Sequence, residues 1–278
     1  MGDQRFGFLT LTEIERQLPV YMSGAGYWSS QEEIVRPNGY PLYQWLYCVD
    51  GEGELWVRGE RSEVKPGFGI FLSPHEPHEY RATTEPWEIY WLNFEGVQAE
   101  SMARTAGLAR SGVYRLAGSD AVMLNHMQSA VSLVLSGNPL AGLECSKLVY
   151  ALLLDIMKGM ADPHASLEMS FRRLQPVFDY MERHYARRVT LQELADTVGV
   201  SGQHLCMLFR KIVDARPMEY LNKLRIRKSK EQLLAFPQDR IGEVARKAGF
   251  ETVGYFCVLF KQMEGVSPDT FRKLNGVR

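Results

Sequence analysis

The side chains best suited to chemistry in this 278-residue chain fall in two short stretches near its C-terminal end. Gly202, Gln203, His204 and Met207, with Arg210 further along, occupy the early, outward positions of one predicted helix. Thr252, Val253, Gly254, Tyr255 and Val258, with Lys261 further along, occupy those of another. These residue types suit DNA. A Gln203 amide can pair with adenine, and Met207, Val253 or Val258 can meet thymine methyls. Arg210 and Lys261 suit phosphates, which position a protein without reading sequence. The four cysteines, Cys48, Cys145, Cys206 and Cys257, are widely spaced and match no zinc or disulfide pattern. They read as reduced, buried small side chains, and no set of residues points to a cofactor or catalytic group.

What must position the two stretches is an internal repeat. At an offset of 50, Glu193, Ala195 and Gly199 meet Glu243, Ala245 and Gly249. One residue is then inserted, and at an offset of 51 Cys206, Leu208, Phe209 and Pro217 meet Cys257, Leu259, Phe260 and Pro268. Each copy begins with a short amphipathic helix. Thr190 fits its N-cap, with Glu193 three residues on, and Gly199 supplies the left-handed residue that ends it. Ser201 caps the next helix, whose Leu205, Leu208 and Phe209 face inward. Helix, glycine turn and second helix form the hairpin that places its second helix in the major groove. The pattern also occurs in all-α proteins that bind no DNA. Two aligned copies in a basic segment favour the DNA reading.

Charge supports that choice. Residues 171–278 carry 20 Lys/Arg against 12 Asp/Glu, a net +8, while residues 1–170 carry 12 against 21, a net −9. A basic half suits a polyanion. The acidic half is β-rich from about Tyr21 to Phe94, with short aromatic segments between Gly and Pro turns. Tyr43, Trp45 and Tyr47 alternate on one strand face and could line a cavity or form core. Beyond Ser119 the period becomes helical. Val122, Leu124, Met127, Val131, Val134 and Leu135 mark one helix, and Leu143, Leu148, Leu152 and Ile156 another. The expected organisation is an N-terminal domain over 1–160, a linker over 161–170 and a helical domain over 171–278. Its two helix-turn-helix units should span about 191–212 and 241–262. No apolar run is long enough to span a bilayer, and no signal peptide is apparent, so a cytoplasmic protein is expected.

The stretch from about Val189 to Lys273 resembles the AraC/XylS family of transcription regulators. Leu191-Gln-Glu-Leu-Ala195, Gly199-Val-Ser201, Leu208-Phe209-Arg210, Pro217 and Leu224-Arg225 carry the likeness in the first half. Ile241-Gly-Glu-Val-Ala245, Gly249-Phe250, Phe260-Lys261, Gly265-Val-Ser-Pro268 and Phe271-Arg272 carry it in the second. The resemblance implies a long rigid helix over Pro217 to about Ala235 whose basic face (Lys223, Arg225, Arg227, Lys228, Lys230) could lie near phosphates. It implies two recognition helices entering successive major grooves, about 34 Å apart. Two departures stand out: family members commonly have a polar residue where Met207 and Val258 sit, and serine at Gly254. Sparse hydrogen-bond readout, with more from DNA shape and phosphates, follows.

The β segment is similar to the cupin-like effector domain of that family, through Arg36-Pro37, Gly39-Tyr40, Gly51-Glu-Gly53, Lys65-Pro66-Gly67, Pro74 and His78-Glu-Tyr80. A cupin-like β-barrel with two helices is therefore expected. Against the arabinose-responsive member, Arg36, Tyr80 and Trp91 fall at ligand contacts, and Tyr43 joins them as a candidate. Ile89 stands where that member has histidine, which argues against arabinose itself. Aromatic side chains with a few polar groups favour a small polar effector such as a sugar. The alternative is a metal-dependent, sugar-modifying cupin enzyme. That needs a His-x-His on an early strand, whereas Tyr43-Gln44-Trp45-Leu46-Tyr47 has no histidine, and only His75 and His78 lie nearby. A third reading makes the cupin a structural module. The resemblance further implies a homodimer through the two helices at 120–160, and activation through contact with RNA polymerase.

Overall fold

The structure, a computed structural model, describes residues 3–116, 120–159 and 167–275. The chain folds as two compact units, residues 1–168 and 169–278. Most of the expected linker, residues 161–166, lies outside the described residues, whereas residues 167–170 are already helical.

Among the described residues of the first unit, ten strands form two antiparallel sheets. The larger is ordered β1-β2-β9-β4-β7-β10: Gln4–Phe8 (β1), Tyr21–Trp28 (β2), Glu88–Glu95 (β9), Tyr43–Asp50 (β4), Phe68–Leu72 (β7) and Gly112–Arg115 (β10). The smaller is ordered β3-β8-β5-β6: Ile34–Arg36, His78–Ala82, Gly53–Val57 and Glu60–Val64. The β5–β6 turn is Arg58-Gly59, both at positive φ (53° and 75°), which matches the right-handed twist of a hairpin. The sheets face each other across Leu46, Leu55, Ile70, Leu72, Trp87 and Ile89. Among the described residues no ladder joins their edges. The expected strand domain with two helices is present, as two facing sheets whose edges stay open among the described residues. The edge strands β3 and β10, of three and four residues, each pair on one side only, with β8 and β7.

Strand periodicity decides what each face does. On β4, Gln44, Leu46 and Cys48 point between the sheets, while Tyr43, Trp45 and Tyr47 point to the other side of the large sheet. That side is covered by helices Asp120–Leu135 and Ala141–Gly159. Two shorter helices, Glu13–Arg16 and Ala99–Thr105, precede them, so the four are α1 to α4 in chain order. The buried stripe is Met123, Met127, Ala130 and Val131 on α3 and Cys145, Val149, Leu152 and Ile156 on α4. Of the expected stripe, Met127 and Val131 are buried and Leu124 and Val134 partly so, whereas Val122 and Leu135 are exposed at its margins.

The second unit is helical: Leu167–His184 (α5), Leu191–Asp196 (α6), Gly202–Val213 (α7), Pro217–Ala235 (α8), Ile241–Lys247 (α9), Val253–Glu264 (α10) and Pro268–Asn275 (α11). It has two cores. Leu174, Val177 and Met181 of α5 pack with Leu194, Leu205 and Phe209 around the first repeat. Val244, Phe250, Phe256 and Phe260 pack around the second. Helix α8 gives Leu221 and Leu224 to the first core and Ile226 and Leu233 to the second. One helix that feeds both cores cannot turn freely between them. Among the described residues no helix is long and apolar enough to cross a membrane.

Candidate nucleic-acid interface and ligand cavity

In the first repeat, Thr190 caps α6 in both directions. Its hydroxyl accepts from Glu193 N–H (3.2 Å), and its own N–H donates to Glu193 Oε2 (2.7 Å). The Glu193 carboxylate also takes Arg187 (2.8 Å) and the Tyr180 hydroxyl (3.2 Å). Those donors, the Thr190 backbone first, hold its pKa down to about 2. Gly199 then turns the chain at φ +65°. Ser201 starts α7 by accepting from His204 N–H (3.2 Å). Leu205 and Phe209 are thereby fixed inward, and Gln203, His204, Met207 and Arg210 stand exposed, with Gly202 half-buried beside Leu191. Gln203, Met207 and Arg210 lie along one outer stripe, as spacing of four and three residues on a helix dictates.

The second repeat follows the same plan with different chemistry. Arg240 replaces Thr190, so only the N–H to Glu243 Oε2 bond remains (3.0 Å), since arginine has no acceptor. Thr252 caps α10 by accepting from Tyr255 N–H (3.3 Å). Its hydroxyl is therefore engaged in the cap. The outer stripe is Gly254, Val258 and Lys261, with Val253 beside it. Met207 is 60% exposed in the first copy and Val258 68% in the second, large values for apolar side chains without a partner. Tyr255 is exposed but tethered, its hydroxyl accepting from Asn222 Nδ2 of α8 (3.1 Å).

Between the copies lies a clamp that sequence reading missed. Arg225, buried on α8, donates from Nε to Tyr185 O (2.9 Å) and from Nη2 to Arg187 O (2.8 Å). Its guanidinium also lies 5.9 Å from the Phe250 ring. It thereby ties the turn after α5 to the turn of the second repeat. Gly249 completes the joint at φ +85°, where an added Cβ would lie 2.1 Å from Tyr185 O. The resemblance implies that Arg225 belongs to a basic face toward phosphates. The structure corrects this: Arg227 and Lys228 pair with Glu182, Lys230 pairs with Glu264, and Arg225 is internal. Lys223 alone of the five is exposed without a protein partner among the described residues.

In the first unit a cavity of about 210 Å³ opens between the sheets. Arg36, Tyr80 and Trp91 line it together. Tyr43 does not. It stacks on Phe71 and Phe94 (5.9 and 5.3 Å) on the helix-covered side, because odd and even residues of β4 face opposite ways. Gln44 takes its place, accepting from Arg36 and donating from Nε2 to Asn93 Oδ1 (2.8 Å). A polar residue alone within Tyr43–Val49 was the signal that could have found it. The Arg36 guanidinium sits 4.5 Å from the Tyr40 ring. Burial pushes the Tyr80 phenol up to about 12, so it stays a neutral hydroxyl. Ile89 is wholly buried between the sheets. His78 bonds Glu76 O through Nδ1 (2.8 Å), and burial lowers its pKa. Among the described residues no group of three His, Cys, Asp or Glu could hold a metal ion.

Two family models fit the chain: an AraC-like ligand binding domain over residues 23–153 and a helix-turn-helix domain over 194–274. The chain belongs to the AraC family of transcription regulators. It is 22% identical over 235 residues to the raffinose operon transcriptional regulatory protein RafR of Pediococcus pentosaceus, covering 83% of this chain and 84% of that one. It is 26% identical over 243 residues to the MmsAB operon regulatory protein of Pseudomonas aeruginosa (82% and 74% covered). The arabinose operon regulatory protein of Salmonella typhimurium is 26% identical over 247 residues, 86% of each chain. Among solved structures, the C-terminal domain of the response regulator yesN from Fusobacterium nucleatum is 28% identical. It covers 35% of this chain and 95% of its own, with a TM-score of 0.34. This AraC-family regulator therefore joins a DNA-binding domain to a ligand-binding one, and neither family it matches is catalytic.

Proposed function

We propose that this regulator activates a carbohydrate operon by binding promoter DNA with α7 and α10, under control of a small polar effector, a sugar, in the cavity of its first unit. The observation that carries the DNA reading is the pair of exposed stripes, Gln203-Met207-Arg210 and Gly254-Val258-Lys261, at matching positions of two helices joined through α8. Gln203 and His204 contact base edges by hydrogen bonds, Met207, Val253 and Val258 meet thymine methyls, and Arg210 and Lys261 meet phosphates. Thr252 and Tyr255, held by the cap and by Asn222, set the pose of α10 more than they read bases. Gly254 lets the DNA come close to the helix. Arg36, Tyr80 and Trp91 contact the effector. The chain works in the cytoplasm as a homodimer, formed through α3 and α4, and contacts RNA polymerase.

The sugar assignment rests on the likeness to the regulators of the raffinose and arabinose operons. Genome-wide mapping of binding sites supplies the promoter fragment. The full-length protein should then bind it in preference to random DNA, with affinity falling steeply as salt rises. Replacing Arg210 or Lys261 by alanine should each lower the slope of that salt dependence by about one. Equal affinity for promoter and random DNA, with and without sugars, defeats the proposal.

A further inference from the structure

The effector cavity has an unusual balance of hydrogen-bonding groups. Its ten lining residues include Arg36 and no aspartate or glutamate. Arg36 makes no ion pair among the described residues. Its protein acceptor is the neutral Gln44 Oε1, and its flat face rests on Tyr40. The remaining edge of the guanidinium is a donor-only surface carrying an uncompensated charge. The Gln44–Asn93 bond fixes Asn93 with its oxygen engaged, which leaves the Asn93 amide N–H₂ as a second donor without a protein partner. Trp91 Nε1, in a side chain only 8% exposed, has no partner and is a third donor. The sole orphaned buried acceptor among these residues is Oε1 of Gln31, itself 6% exposed. Buried polar groups left unpaired are costly, so the cavity is shaped for something that pairs them.

Donor excess selects the ligand. Each hydroxyl of a neutral sugar brings a donor of its own, and apart from the tyrosine hydroxyls the cavity's one wholly unpaired buried acceptor among the described residues is Gln31 Oε1, the Gln44 and Asn93 oxygens each already taking a donor. A carboxylate brings acceptors only and supplies the missing negative charge. Its two oxygens match the planar fork of a guanidinium, which makes a charge-assisted pair stronger than a neutral one. A phosphate monoester would bring nearly two negative charges to a single cation. Size sets a second limit. At about 210 Å³ the cavity lies below the roughly 300–1,000 Å³ of drug-sized sites, room for one ring and not for an oligosaccharide. Trp28, Tyr80 and Trp91 supply aromatic surface for the apolar face of that ring.

We infer that the effector is a small carboxylate of monosaccharide size, a sugar acid, whose carboxylate is held by Arg36 while Asn93, Trp91 and Gln31 meet its hydroxyl groups. This rests on reading the cavity as the effector site. The test uses the full-length protein with matched probes: D-galacturonate against D-galactose, and D-glucuronate against D-glucose. Thermal shift and tryptophan fluorescence, which Trp28 and Trp91 should dominate on binding, report occupancy. At least one acid should bind tenfold or more tightly than its neutral partner. Arg36→Gln should erase that preference, and Arg36→Lys should restore part of it, since it keeps the charge without the fork. The wild-type comparison stands even if a variant fails to fold. Neutral sugars binding as well as or better than their acids would overturn the carboxylate and leave the cavity a sugar site. Binding by none of the four would overturn both.

Discussion

The two helix-turn-helix copies share a scaffold and differ in almost everything that touches it from outside. In the first, α6 is capped by a complete box and Glu193 gathers Arg187 and Tyr180. In the second, Arg240 offers half a box. Gly199 turns with nothing near its missing Cβ, whereas the counterpart Gly249 has Tyr185 O against it. Helix α7 shows a glutamine, a histidine, a methionine and an arginine to the outside, and α10 shows valines, a glycine, a tyrosine and a lysine. Duplication therefore fixes the interior and leaves the reading face free to diverge. The first copy is held by its own electrostatics. The second is held by the clamp on α8.

The sharpest way to break this comparison is to put the same methyl group into both turns. Gly249→Ala forces a residue with a Cβ into φ +85° and into Tyr185 O, and should cost about 3 kcal/mol or more. Gly199→Ala meets only the left-handed conformation and should cost about 1–2 kcal/mol. Chemical denaturation of the full-length protein checks both. Equal losses would mean that Gly249 is a turn residue and nothing more. Next in size is Arg225→Met, which strips the donors from two carbonyls. About 2–4 kcal/mol should be lost, with the second copy melting ahead of the first.

Acid should distinguish the copies in the opposite sense. The Glu193 pKa is depressed from 4.5 to about 2 in the folded chain. A depressed carboxylate stabilises the fold above its unfolded value and loses that contribution as pH falls toward its folded one. The stability gap between wild type and Glu193→Gln should thus be full above about pH 4.5 and close progressively toward pH 2. A gap unchanged by pH would remove the first copy's electrostatic support. The smallest effect is a gain. Asp214 ends α7 at φ 52°, where its counterpart Gly265 ends α10 at φ 77°. Asp214→Gly should stabilise by about 0.5 kcal/mol, by relieving left-handed strain.

Much of this was legible in the chain itself. The repeat of Glu193-Ala195-Gly199 on Glu243-Ala245-Gly249 placed both hairpins, because caps, glycine turns and core positions are local rules that need no tertiary knowledge. Exposure of Gln203, Met207, Val258 and Lys261 followed from helical spacing alone. What was not legible depends on groups distant in sequence. Nothing local says that Arg225 turns inward to carbonyls 40 and 38 residues earlier. An arginine among Lys223, Arg227 and Lys228 looks like one more surface charge. In the first unit, the aromatic ring of Tyr43 suits a ligand cavity, but the pleat gives that place to Gln44. Closure of a barrel rests on edge pairing that strand patterns do not encode.

The decisive measurement concerns the coupling of the two readers. The promoter fragment bound by the full-length protein is altered by inserting half a helical turn, about five base pairs, between the two half-sites of one monomer, and affinity is measured by fluorescence anisotropy. Because α8 contributes to both cores, affinity should fall by about a hundredfold or more, to the level of a single half-site. A full-turn insertion should fail to restore it, since the separation of α7 and α10 is fixed. Affinity indifferent to the insertion, or recovered at a full turn, would contradict a rigid tandem reader.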